Sequence, residues 1–146
     1  MTATTHTEPS TTLLTNATRG IIGGLVGGLM FGLMMQMMDM IPMVAMLVGS
    51  ESVAVGWLVH LAISAFIGAT FGLLLGSRAT TLLTGIGYGT AYGILWWVLG
   101  ALIAMPAKLG MPVFNLDTTA QRSLLGHMVF GAILGTVVAL INRRDT

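Results

Sequence analysis

Residues 20 to 32 read GIIGGLVGGLMFG. The run carries no charge, and its glycines at 20, 24, 28 and 32 recur every fourth position. Residues four apart share one face of a helix. In lipid, helices associate by close backbone approach, and stripes of small residues permit it. The stretch therefore reads as part of a membrane-spanning helix whose glycine face meets another helix. The rest of the chain follows the same plan. Gly85, Gly89 and Gly93 step by four, as do Ser64, Gly68, Gly72 and Gly76, and then Gly131 and Gly135.

Composition agrees with a bilayer as the solvent. The 146 residues are 55% hydrophobic and 8% charged, with a mean hydropathy of +0.90. Soluble domains carry about 25% charged residues, and a water-soluble chain of this size has no interior large enough to hide so much apolar surface. A net charge of +1 gives no footprint for nucleic acid. With no cysteine, disulfides, iron–sulfur clusters and thiolate metal sites are excluded.

Four apolar segments approach the roughly 20 residues that cross a bilayer: 20–40, 53–75, 82–105 and 123–141. The expected fold is an all-α membrane protein with one transmembrane domain over residues 19–142. Residues 1–18 are threonine-rich, lack the basic and apolar regions of a signal peptide, and read as a disordered polar tail. Residues 143–146 form a short basic C-terminal tail. Pro42 and Pro106 stand where the first and third spans should stop. The connection 41–52 (IPMVAMLVGSES) is itself apolar, so it is expected to lie in the interface or dip back into the bundle, where protein covers its backbone. Arg19, Arg78, Arg143 and Arg144 fall on one side, Lys108 and Arg122 on the other. The excess of positive charge predicts both termini in the cytoplasm of a plasma (inner) membrane protein.

The chain also repeats itself. HLAISAFIG (60–68) returns as HMVFGAILG (127–135), and GLVGGLMFG (24–32) as GIGYGTAYG (85–93). Two parallel two-helix repeats about a pseudo-two-fold axis along the membrane normal are expected.

Against this background a few side chains stand out. His60 and His127 continue the small-residue stripes of their spans, so they should look into the bundle, about 6–11 Å below one surface. MMQMMDMIPM (34–43) holds six methionines around Asp39. Continued helix geometry places Met35, Met38 and Asp39 on the glycine face and turns Met34, Met37 and Met40 away. Gln36 and Glu51 are candidate hydrogen-bond partners for a histidine. Trp96 sits deeper than an interfacial aromatic, and is expected either to pack within the bundle or to make a wall for a flat ligand.

Asp39 is a functional candidate if it lies within the membrane and only a polar anchor if it lies at the interface, while two inward imidazoles with soft thioethers suit a metal. The candidate metal ligands are His60, His127, Met35, Met38 and Asp39. The candidate cofactor contacts are His60, His127 and Trp96, with haem b or copper as the group. Methionine also fills irregular apolar gaps with no chemical purpose. An ion- or proton-coupled transporter or channel, and a structural subunit of a larger membrane complex, are the alternatives. The expected partners are lipid and either a second copy or a larger complex. No catalytic motif is present: GxSxG, HExxH and GxxxxGK[ST] are all missing.

Overall fold

The computed structural model describes the backbone of residues 9–144 and the side chains of residues 12–144. The described residues form helices and turns, with no strand. Helix α1 spans Pro9–Met37, α2 Ile41–Ala45, α3 Val53–Leu75, α4 Leu82–Trp96, α5 Met105–Leu109 and α6 Thr118–Arg144. A π-helical segment, Trp97–Ala104, joins α4 to α5. Among the described residues, four stretches are long and apolar enough to cross a membrane: Thr12–Met37, Val53–Arg78, Leu82–Leu109 and Thr118–Arg144. The protein is an all-α membrane protein.

The boundaries differ from expectation at five places, most of them for a local reason. Helix α1 begins at Pro9, inside the stretch expected to be a disordered tail (residues 1–8 lie outside the described ones). Proline suits a first helical position because it has no N–H to leave unbonded. Asn16 then packs against Gly72 of α3 and Gly76 just beyond it, which gives this early turn a surface to rest on.

At its other end α1 stops at Met37, not Met40. Asp39 takes a left-handed conformation with φ 55°. The Met40 N–H reaches back to Met35 O (2.9 Å) and the Asp39 N–H to Gln36 O (3.2 Å). This is the paired-bond termination usually given to glycine, which aspartate tolerates. Pro42 therefore does not end α1; it sits in the first turn of α2.

The third span does not end at Pro106 either. Pro106 has no N–H for the Leu102 carbonyl, and the Phe114 N–H takes that carbonyl instead at 2.9 Å. The backbone continues through the π segment into α5 and stops at Gly110, which has φ 69° as a left-handed helix end. Helix α6 begins earlier than expected because Asp117 caps it, its Oδ1 accepting from the Ala120 N–H at 2.8 Å. It ends later as well, at Arg144, so part of the expected tail is helical.

Helix α1 lies between α3 and α6, and α4 packs on the far side of α6. The seams are backbone against backbone. A Cβ on Gly24 would meet Ser64 O, and one on Gly28 the Ser64 side chain. A Cβ on Gly85 would meet Gly135 O, one on Gly89 Gly131 O, and one on Gly93 His127 O. The remaining side is different. Helices α3 and α4 meet through Thr70 Oγ1 and Tyr92 Oη (2.6 Å) and through the ring pairs Phe71–Tyr92 and Phe66–Trp96. At the end carrying both termini, Arg19 Nη1 donates to Asn142 Oδ1 (2.9 Å). Asn142 Nδ2 in turn donates to the carbonyls of Gly76 and Ala79, each at 2.9 Å. One amide thereby ties α1, α6 and the α3–α4 turn together.

Candidate functional site: a cavity beneath α2

The apolar connection after α1 folds back as a roof. Ile41 and Ala45 are fully buried and Val44 nearly so. Gly56 of α3 lets the roof sit down, since a Cβ there would meet the Ile41 carbonyl. Val48 leads into Gly49, whose φ of 76° turns the chain toward α3. Of the two expectations for this loop, packing back onto the helices is the one observed.

Beneath the roof lies a cavity of about 450 Å³. Met40, Met43, Val44 and Leu47 form its upper side. Phe31 and Met35 enter from α1, and His60, Ser64 and Phe66 from α3. The opposite wall is Trp96 with Gly100, Ala101 and Ala104 of the π segment. Ser123, His127 and Phe130 of α6 complete it. π-Helical insertions concentrate at functional sites, and here one supplies a flat wall of small residues.

Both membrane histidines are anchored by backbone carbonyls. His60 Nε2 lies 2.8 Å from Gly28 O, across the α1–α3 seam. His127 Nδ1 lies 2.8 Å from Ser123 O one turn back on its own helix, with Ser123 Oγ at 3.3 Å. A carbonyl only accepts, so those two nitrogens carry the hydrogens. The Ser64 hydroxyl donates to His60 O at 2.8 Å. Phe31 touches both imidazoles edge-on, with ring centroids 5.5 Å from His60 and 4.8 Å from His127.

The six candidate residues separate. His60, His127, Met35 and Trp96 all line the cavity. Met38 and Asp39 do not, because α1 has ended before them. Met38 is half-buried, and Asp39 is exposed on the turn. The inward placement of this pair assumed a helix that continued to Met40; the left-handed Asp39 overturns it. The carboxylate of the proton-coupled reading thus stands apart from the two histidines. Gln36 accepts from Trp57 Nε1 at 3.0 Å rather than from a histidine, and Glu51 is exposed. Among the described residues no group of three or more His, Asp or Glu side chains converges to hold a metal.

Trp96 stands edge-on to Phe66 (6.1 Å) and Tyr92 (6.2 Å), and its Nε1 is buried without a hydrogen-bond partner. Its neighbour Trp97 donates instead to Ala120 O at 2.9 Å, joining the π segment to α6. The roof and the π wall have no periodicity signature, so stepping 100° per residue could not find them. Phe31 did carry a signal, as an aromatic ring standing in a glycine-rich face. No protein-family pattern, curated protein or solved structure matches the chain.

Proposed function

We propose that this protein binds a small, mainly apolar organic molecule within the membrane, in the cavity beneath α2. The observation that carries this is the size and lining of the cavity. Its volume of about 450 Å³ falls in the range of roughly 300–1,000 Å³ found for small-molecule sites, which are apolar with a few fixed polar groups. A single ion needs far less, since one water occupies about 30 Å³. Entry runs from the lipid between α3 and α4, the side with the fewest links. Phe66, 59% exposed, and Trp96 stand at that gap.

The two seams are built alike in this reading. Gly24 with Gly68, Gly28 with Ser64 and Gly32 with His60 correspond to Gly85 with Gly135, Gly89 with Gly131 and Gly93 with His127. That correspondence supports two parallel repeats held by glycine zippers. The open α3–α4 side, against the tight α1–α6 side, is where the two-fold relation breaks and the cavity forms. The arginines at the terminal end support cytoplasmic termini in a plasma membrane. Reporter fusions at either end should be active only in the cytoplasm; activity on the outside would reverse the topology.

The binding reading is tested with 2-bromonaphthalene, whose bromine quenches a nearby indole. In phosphatidylcholine nanodiscs, saturable quenching of tryptophan fluorescence is expected for the wild type. A Cβ at Gly100 meets nothing within 4 Å, so Gly100→Phe puts a ring into the cavity without a backbone clash. It should weaken the saturable component at least tenfold and leave the melting temperature unchanged. Equal quenching in both proteins would sink the reading.

One observation favours a second reading. Met35, Met40, Met43 and Met105 line the same cavity as the two histidines. Thioether with imidazole is a copper(I) donor set. Copper near one equivalent in purified protein would move the assignment to a soft-metal site.

A further inference from the structure

From the hydrogen bonds already made inside the cavity, we infer that its ligand is a ring compound bearing a hydroxyl, a donor of hydrogen bonds rather than an acceptor alone. This rests on the organic-ligand reading above and names the chemistry that the site selects.

The donors of both imidazoles and of Ser64 are already committed. His60 gives its Nε2–H to Gly28 O and His127 its Nδ1–H to Ser123 O. Ser64 gives its O–H to His60 O. The Trp96 N–H is closed off from the cavity surface. What remains is Nδ1 of His60 and Nε2 of His127, each a lone pair on a neutral imidazole so anchored. Among the described residues neither nitrogen makes a further hydrogen bond. Lone pairs on Ser64 add a third acceptor, and the Ser123 hydroxyl rotates to suit. Lys108, at the exposed rim, is a donor outside the buried part.

The surrounding lipid sharpens this selection. A ligand arriving from acyl chains gains little from the hydrophobic effect, because lipid is as apolar as the cavity. Ring contacts with Phe31, Phe130 and the methionines favour a flat body but discriminate weakly. A hydroxyl finds no partner among acyl chains and finds a lone pair here. A carbonyl or ether oxygen would find only the rotatable Ser123 hydroxyl as a donor and otherwise face lone pairs, a poorer match that sites discriminate against.

2-Naphthol and 2-methoxynaphthalene share a ring and differ in whether the oxygen carries a hydrogen. Tryptophan-fluorescence titration in phosphatidylcholine nanodiscs, corrected with empty discs, should show 2-naphthol binding about tenfold more tightly. Of His60→Phe and His127→Phe, the one that removes the accepting nitrogen should lower the naphthol affinity to that of the ether. A measurement without substitution covers the case in which the variant misfolds. In protein labelled with ¹⁵N at histidine, 2-naphthol should shift Nε2 of His127 or Nδ1 of His60, and the ether should shift neither. Equal affinities and unmoved nitrogens overturn the donor requirement while the cavity reading stands. If neither probe binds, the cavity reading falls first. Copper bound to those nitrogens in purified protein overturns the inference as well.

Discussion

Valine at position 131 is expected to force α4 and α6 apart and to lower the melting temperature of the detergent-solubilised protein by roughly 5–15 °C. The reason is what a side chain there would meet. A Cβ on Gly131 comes against the Gly89 carbonyl, with Gly89 C at 2.8 Å and Gly93 Cα at 3.1 Å. These are backbone atoms, so no rotamer change can make room. The helices must separate along the whole seam, and Gly85–Gly135 and Gly93–His127 lose contact with it. Overpacking costs typically 1–3 kcal/mol and more where the obstacle is rigid. At about 2–4 °C per kcal/mol for a chain of this size, the shift follows. Gly87→Val is the control. It lies on α4, the helix that faces Gly131 across the seam, and a Cβ there meets nothing within 4 Å. Its melting temperature should move by only a few degrees. Equal losses from the two variants would show that helix propensity, and not the seam, sets the stability.

Gly56→Val should separate the roof from the bundle. Its Cβ would meet the Ile41 carbonyl and, at 2.7 Å, the Ile41 side chain, and Ile41 is fully buried. The α1–α3 seam lies deeper, along Gly20, Gly24 and Gly28. The substitution should therefore loosen α2 while the long helices stay paired. Without the roof, Met40, Met43, Val44 and Leu47 no longer bound the cavity, and water reaches the histidines. Affinity for a naphthalene-type probe should fall more than tenfold with a much smaller thermal loss than Gly131→Val causes. Unchanged affinity in a folded Gly56→Val protein would mean that the roof does not enclose the site.

These two expectations rest on parts of the molecule that were unequally legible. The glycine seams could be read from the chain because small residues every fourth position have one geometric meaning in a lipid-embedded helix. His60 and His127 could be placed for the same reason, as extensions of those stripes. Asp39 and Met38 were misplaced because the reading continued a helix through an aspartate that turns left-handed. Glycine normally marks such an end; aspartate does so too rarely to be assumed. Pro106 was misleading in the other direction. Its missing N–H was expected to stop the span, but the π segment and the Phe114 N–H absorb the defect. Phe114 itself takes a φ of 55°, an unusual conformation for a bulky residue, and its bond to Leu102 O accompanies it. The cavity depends on the roof, the π wall and the sparse α3–α4 contact. All three are tertiary features, and none has a period in the sequence.

The central claim is that an organic ring occupies the space beneath α2, and a structure determined with 6-bromo-2-naphthol tests it most directly. The anomalous signal of bromine locates the probe without reliance on weak density. A single bromine peak in the cavity bounded by Phe31, Trp96 and Met105, with the naphthol oxygen within hydrogen-bond distance of His60 Nδ1 or His127 Nε2, is the predicted result. A cavity that stays empty at saturating probe, or bromine found only on the lipid-facing surface, would contradict it.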